Sequence, residues 1–476
     1  MINRNSGPSY IHGTVNNAIF DIASNTGTQM HAWEEEQVIF DPEGQRVDCD
    51  EAEECSELLW DDVLIANAFR HSKEEHASIS PERSLQDFFI EEANGLFRDE
   101  AEDVAKRKRK MLLLMGRMWG AYVGSPVERQ SLKFFWLEQC IDGENPFVAE
   151  TYTKILEHVA EPVRRGAEVR YGCEVVGISS AAEKMNGDKV TVRIVNGGCM
   201  DFDGVVVTTP LGWLKQHKDA FEPSLPPRLS QAIDNIGYGT LDKVYISFAS
   251  AFWQERLPAD TRLADGEDPE GKTPNVRAGA HPIHQPATSG DQNGYINGAL
   301  WTAPSYAPET NPERWDQECL YLSALPDGYS RPALLFYLYG DCSRHIADLA
   351  TSNETPAERD AKLLAFFEPY YSRLPGYVAS DPACKPVAIQ ATAWAADKFA
   401  GYGSYCNFQI GVEHADEDIE VMRHGMPEQG IWFAGEHTAP FVALGTTTGA
   451  YVSGEQVALR IVKKRGVDRS AELASR

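Results

Sequence analysis

The sequence predicts an α/β protein in which a discontinuous, Rossmann-like nucleotide-type domain is interrupted by an α+β domain of antiparallel strands and helices. Three observations carry this. Val205-Val206-Val207-Thr208 is a continuous apolar run closed by Pro210, the pattern of a strand buried on both faces of a parallel sheet. Residues 243–249 alternate, as a half-buried antiparallel strand does. The chain then finishes with an apolar strand, Ile431 to Ala434, a glycine turn and a helix from about Gly449 to Lys463. At 476 residues it exceeds what one compact core supports, so two domains are expected.

Taken in order, residues 1–30 read as a loop and then a helix from Asn17 to Ser24. Residues 34–62 are acidic, with a strand-like Val38 to Phe40 and a turn at Pro42-Glu43-Gly44. Residues 84–160 read as mainly helical. Within them the basic run Lys106 to Lys110 is expected to be a solvated helix face rather than a targeting signal, because the apolar run Met111 to Met118 follows directly. Val175, Val176 and Ile178 form one short strand, and Val190, Val192 and Ile194 a second. Residues 255–295, rich in Pro, Gly and Asp, read as a long surface insertion. Leu334 to Tyr339 is a further buried strand and Ala357 to Phe367 a helix.

A hydrophobic fraction of 42% calls for a packed protein, not a disordered one. The net charge of -27 repels nucleic acid and attracts cations, but plain solubility is the preferred explanation of it. Nine cysteines with no C-x-x-C pair and no Cys/His cluster point to a reduced, cytoplasmic setting and to no metal site. No apolar run approaches the ~20 residues of a membrane span. The N-terminus is not a secretory signal, and the C-terminal Ala-Ser-Arg is not a peroxisomal address.

The sharpest stretch is Gly430-Ile-Trp-Phe-Ala-Gly-Glu-His-Thr438, followed by Gly445-Thr-Thr-Thr-Gly-Ala-Tyr-Val-Ser-Gly454. A buried strand ends at Gly435, where backbone can approach a ligand closely. Glu436 can accept hydrogen bonds from sugar hydroxyls. Thr446, Thr447 and Thr448 lead into a helix whose first N–H groups lack intrahelical partners and suit an anion or a polarised carbonyl. A ligand-free strand–turn–helix capped by Thr fits the same residues, and on their own they leave both readings open.

This stretch resembles the C-terminal flavin motif of the flavin-containing amine oxidases, which include polyamine oxidases, monoamine oxidases and lysine-specific histone demethylases. The likeness covers nearly the whole chain. It includes Gly7-Pro-Ser-Tyr-Ile-His-Gly13, Gln130 to Trp136, Gly143 to Phe147, Val205 to Leu214, Leu241 to Phe248 with Phe252-Trp253, and Trp394, Asp397 and Gly403-Ser-Tyr405. Its closest flavour is that of a polyamine oxidase. The resemblance implies an FAD-binding domain from residues 1–30, 165–215 and 392–470, and a substrate domain from 31–164 and 216–391.

By matching position, the resemblance implies that the Val175 backbone contacts the adenine region and Glu436 the ribityl or pyrophosphate region, beside Gly435. It places Trp394 against the isoalloxazine and the Thr447 N–H at the pyrimidine edge. Lys243 would hold a water near N5 and assist reoxidation by oxygen; a surface strand-end lysine is the plainer alternative. Tyr405 would form one wall around the substrate amine, with the small Thr446 opposite. His12 would stand at the substrate mouth, unless it is an ordinary loop histidine. The implied reaction oxidises an amine, expected to be a polyamine, to an imine and then an aldehyde, and passes electrons to molecular oxygen as peroxide. A protein-lysine demethylase, or a non-catalytic remnant, are the alternatives; neither nucleic acid nor membrane is an expected partner.

One departure stands out. The family's G-x-G-x-x-G after a first strand is absent: Gly237/Gly239 and Gly401/Gly403 lack the third glycine. The expected FAD domain is therefore N-terminally truncated, holding FAD weakly and exposing apolar strand surface. A truncated gene model is the expected reason, with a naturally FAD-poor protein as the alternative.

Overall fold

The computed structural model describes residues 6–32, 37–181, 187–254 and 296–466. Its largest sheet has six strands in the order Pro386–Ala391, Leu241–Phe248, Ala333–Tyr339, Gln317–Tyr321, Gly298–Trp301 and Gln37–Phe40. Pairing is antiparallel except at the last joint, where Gly298–Trp301 runs parallel to Gln37–Phe40.

Period-two alternation divides this sheet into two faces. Val244, Ile246, Phe336, Cys319 and Trp301 share one face and pack under the helices Gly340–Ala350 and Pro356–Tyr371. Tyr245, Leu335 and Leu320 lie on the other and pack with Phe147. The second helix starts sharply. Thr355 caps it, Pro356 occupies the first turn and Glu358 closes a reciprocal capping box.

A helical layer lies beside the sheet: Cys49–Glu57, Ile65–Glu75, Leu85–Ala93, Glu102–Gly116 and Trp119–Val123. The basic run is a helix face as expected, and it meets the acidic stretch. Arg107 pairs with Glu51, and Lys108 with both Glu54 and Glu100 at 2.7 Å. Residues 84–160 are less helical than their composition suggests. Beyond Gly124 the chain is irregular except for a 3-10 turn, Phe135–Glu138, and a short strand, Phe147–Val148, until the helix Thr153–Gly166. Pro126, Gly143 and Pro146 interrupt it there.

Where the sequence predicted a nucleotide-type domain, the structure has a parallel pair, Val205–Val207 with Ile431–Phe433. Beside it is an antiparallel meander of Val175–Ser179, Val190–Ile194 and Cys199–Phe202, extended by Phe221–Glu222. The final helix, Thr447–Lys464, starts two residues earlier than its sequence pattern suggested.

Two burial expectations change. Val205 to Thr208 is not covered on both faces: Val206 is 39% exposed, because the parallel sheet among the described residues has only two strands. Val176 and Tyr171 are exposed nearby. Conversely, Leu241–Phe248 is not half-buried. It is a central strand, covered from Asp242 to Phe248, because neighbours flank both edges and both faces are packed. The expected insertion at 255–295 lies outside the described residues. No helix among the described residues is long and apolar enough to cross a membrane. All nine cysteines are free, and no metal-binding cluster occurs among the described residues.

Phe336 lies fully buried between Trp301, 5.9 Å away, and Phe367, 4.6 Å away. Phe336→Ala is expected to lower unfolding stability by about 3–5 kcal/mol in chemical denaturation. A loss below about 1 kcal/mol would contradict this packing.

Candidate active site

The central strand delivers Lys243 to the cavity-facing side of the sheet, the side that also carries Tyr245. The side chain is 5% exposed. Its ammonium donates hydrogen bonds to the Gly7 carbonyl and to Ser9 Oγ, and lies 5.6 Å from the centre of the Tyr337 ring. Burial without an anionic partner lowers its pKa to about 7. The surface-lysine alternative does not hold.

Next to it, Asp242 is fully buried and accepts four hydrogen bonds. Thr392 Oγ1 (2.6 Å) and the Trp394 N–H (2.7 Å) reach Oδ1; Ser343 Oγ (2.9 Å) and the Ala395 N–H (3.2 Å) reach Oδ2. Thr392 Oγ1 also accepts from the Lys243 N–H at 2.8 Å. The turn bearing Trp394 is thereby fixed to the lysine strand. Trp394 Nε1 donates to the Ser6 carbonyl at 3.0 Å.

From the nucleotide-type part, the Ile431–Phe433 strand leads to Gly435 at φ +148°. An added Cβ there would meet the His437 ring at 2.8 Å, so glycine is required. Glu436 accepts from the Cys406 N–H at 3.3 Å through each oxygen. Thr446 caps the last helix by accepting from the Gly449 N–H at 3.0 Å, which leaves the Thr447 N–H at the helix start.

These groups converge. A cavity of about 810 Å³ is lined by Lys243, Trp394, Gly435, Glu436 and Thr447, and also by His12, Tyr405 and Thr446. Of the residues singled out in the sequence, Val175 alone lies off it, paired with Ile194 in the meander. Burial holds His12 at a pKa of about 4, so it is a neutral imidazole.

Several cavity residues had not been singled out. Glu138 has a buried Oε1 with no hydrogen-bond partner among the described residues. Burial foremost, and then the charge of Glu436, push its carboxyl up to about 8, against a backbone hydrogen bond from Phe408. Glu318, on the Gln317–Tyr321 strand, and Tyr337, facing it on the next strand, also line the cavity. The sequence reading assigned no strand to residues 317–321, so Glu318 went unmarked.

The residues present fit the isoalloxazine end of a flavin. Thr209 Oγ1 and both His437 ring nitrogens are buried at the cavity without hydrogen-bond partners among the described residues. With the Thr447 N–H, they offer polar contacts that protein groups leave unused. Trp394 and Tyr405 supply flat apolar walls.

Residues 5–462 match the family model described as flavin containing amine oxidoreductase. Lysine-specific histone demethylase 1 homolog 1 of Oryza sativa subsp. japonica is 24% identical over 477 residues, which is 96% of this chain and 45% of that protein. The chain thus spans less than half of that relative's length. Peroxisomal N(1)-acetyl-spermine/spermidine oxidase of Bos taurus is 44% identical over 66 residues, 14% of this chain and 13% of that one. Cyclohexylamine oxidase from Brevibacterium oxydans IH-35A superposes with a TM-score of 0.60 at 15% identity, over 97% of this chain and 88% of its own. That similarity supports the α/β fold with its mixed second part.

Glu138 binds its proton more tightly folded than unfolded. Stability therefore falls as pH rises from the ordinary carboxyl value, 4.5, through about 8, while the unfolded chain alone gives up the proton. Glu138→Gln removes this contribution. Its melting temperature relative to the parent is expected to improve steadily from pH 5 to about pH 8. A difference independent of pH would refute the assignment.

Proposed function

Because the chain belongs to the flavin-containing amine oxidoreductase family, whose cofactor is FAD, we propose that it oxidises amines, polyamines foremost, with oxygen as the electron acceptor. The observation carrying this reading is the meeting of Lys243, Trp394, Tyr405 and the Thr447 helix start in one cavity. The overall balance is amine plus oxygen plus water to aldehyde, shorter amine and hydrogen peroxide. When bound, the flavin supplies a two-electron oxidant for the carbon beside a neutral amine.

The chain's own residues prepare that amine. Tyr405 and Trp394 exclude water, and desolvation lowers an ammonium pKa so that the nitrogen reacts uncharged. Tyr405 is held by its hydroxyl, which donates to the Tyr122 carbonyl. Thr446, which also lines the cavity, is small where a second aromatic wall would fill space. Lys243, poised between its charged and neutral forms, holds a proton and a polar contact on the cavity wall. The N–H of Thr447, at the helix start, would offer a donor to a bound flavin and favour negative charge on it.

A second reading, oxidation of methylated lysine side chains, is favoured by the lysine-specific histone demethylase homolog that aligns over nearly the whole chain. Turnover of a methyl-lysine peptide in preference to free amines would select it.

With one aromatic wall, a small monoamine forgoes about 0.5–2 kcal/mol of cation–π and apolar contact. A long polycation offsets this further along the cavity, and the net charge of -27 concentrates it near the protein. Peroxide release by the FAD-supplied chain is expected to give higher kcat/KM for spermine and spermidine than for benzylamine. The margin should narrow at high salt. A higher value for benzylamine overturns the polyamine reading. Lys243→Met is expected to slow oxygen consumption at saturating amine more than it weakens amine binding; an unchanged rate would remove the lysine from the mechanism.

A further inference from the structure

The short segment Ser6 to Ser9 touches both the lysine strand and the tryptophan turn. The Ser6 carbonyl accepts from Trp394 Nε1 at 3.0 Å. The Gly7 carbonyl and Ser9 Oγ both accept from the Lys243 ammonium, Ser9 at 2.6 Å. Pro8 stands between these two acceptors and fixes a backbone dihedral, so they are presented as a pair. The segment is anchored without the Ser9 hydroxyl. The Ser9 carbonyl accepts from the Val148 N–H at 2.7 Å, and the Tyr10 carbonyl from the Tyr152 hydroxyl.

Ser9 and Lys243 are both buried. A buried ammonium ordinarily takes a carboxylate partner. Here its neighbours are neutral or do not act on it. Tyr337, paired with it on the next strand, is a neutral phenol, raised well above its usual range by burial first of all. His12, on the segment that carries Ser9, is neutral. Thr392 brings only a hydroxyl, and the Asp242 carboxylate is already met by four donors. Tyr405, Asp397, Glu318 and Glu436 line the cavity, yet burial alone lowers the lysine.

We propose that Ser9 is a positioning residue: its hydroxyl, with the Gly7 carbonyl, holds the Lys243 ammonium on the cavity wall and sets the pH at which that lysine releases its proton. A hydrogen bond accepted from an ammonium is stronger than one accepted from a neutral amine, so each acceptor favours the charged form against burial. A carboxylate in the place of Ser9 would keep the lysine charged throughout the neutral range. The role in turnover rests on the amine-oxidation reading above; the titration of the lysine does not.

The test uses the full chain, first without flavin. Lysines are isotopically labelled at Cε, and the Lys243 signal, identified by its loss in Lys243→Met, is followed by NMR from about pH 5 to about pH 10. In Ser9→Ala its midpoint is expected to fall by about half a unit to one unit, while Ser9→Thr, which keeps the hydroxyl, stays within about 0.2 unit of the parent. An unchanged midpoint in Ser9→Ala, an equal fall in Ser9→Thr, or a parent lysine that does not titrate in this range overturns the proposal. Should Ser9→Ala not fold, Ser9→Cys replaces the hydroxyl by a weak acceptor and carries the same expectation. In the chain supplied with FAD and n-butylamine, the pH profile of oxygen consumption is expected to move in the same direction in Ser9→Ala. Oxygen consumption with an unmoved profile overturns the role of Ser9 in turnover. A lowered midpoint in a protein whose parent consumes no oxygen with any amine upholds the hold of Ser9 on the lysine and overturns amine oxidation.

Discussion

The buried carboxylate of Asp242 holds the site together. It sits on the lysine strand and accepts hydrogen bonds from the Ser343 helix, from Thr392 and from the backbone turn that carries Trp394. Four donors satisfy it without a cation, which is how a charge is kept inside a sheet domain at tolerable cost. The arrangement also links two parts of the chain about 150 residues apart, so that Lys243 and Trp394 cannot shift independently. A site built on a rigid strand and a pinned turn needs little reorganisation when a flat ligand enters.

Desolvation then sets the chemical character of the cavity. It lowers Lys243 and His12 and raises Glu138 and Glu318, so each group moves toward its neutral form. On the proposed amine oxidation, the same walls would act on an incoming ammonium. They favour loss of the proton that an amine must shed before its neighbouring carbon can be oxidised. Glu318 follows the same trend more weakly, its carboxyl raised only to about 6.

Legibility in the sequence followed the range of the interactions. The terminal helix, its Thr cap and the strand before Gly435 depend on neighbours in the chain, so local patterns revealed them. Lys243, Trp394 and Tyr405 were found through motif resemblance, and they do share one cavity. Glu138 and Glu318 gave no comparable signal, because what distinguishes them is burial produced by strands and turns far away in sequence. Asp242 was hidden for the same reason: its partners Ser343 and Thr392 lie about 100 and 150 residues on. Alternation also misled at residues 243–249. Polar residues on such a strand usually face water, whereas here they face a cavity and a hydrogen-bond network. The apolar run at 205–208 erred the other way, since burial of a parallel strand depends on layers that the strand itself does not encode.

The alternation of the central strand explains how one sheet serves both stability and chemistry. Val244 and Ile246 carry the hydrophobic face beneath the helices, and Lys243 and Tyr245 the cavity face, so changes on one side need not disturb packing on the other. The antiparallel neighbours extend this division: Phe336 and Cys319 stabilise while Tyr337 and Glu318 line the cavity. A one-residue slip between the strands would exchange the two faces and drive Lys243 into the core. The aromatic packing of Phe336 with Trp301 and Phe367 opposes that slip. The register of the hydrophobic face therefore determines where the charges of the cavity stand.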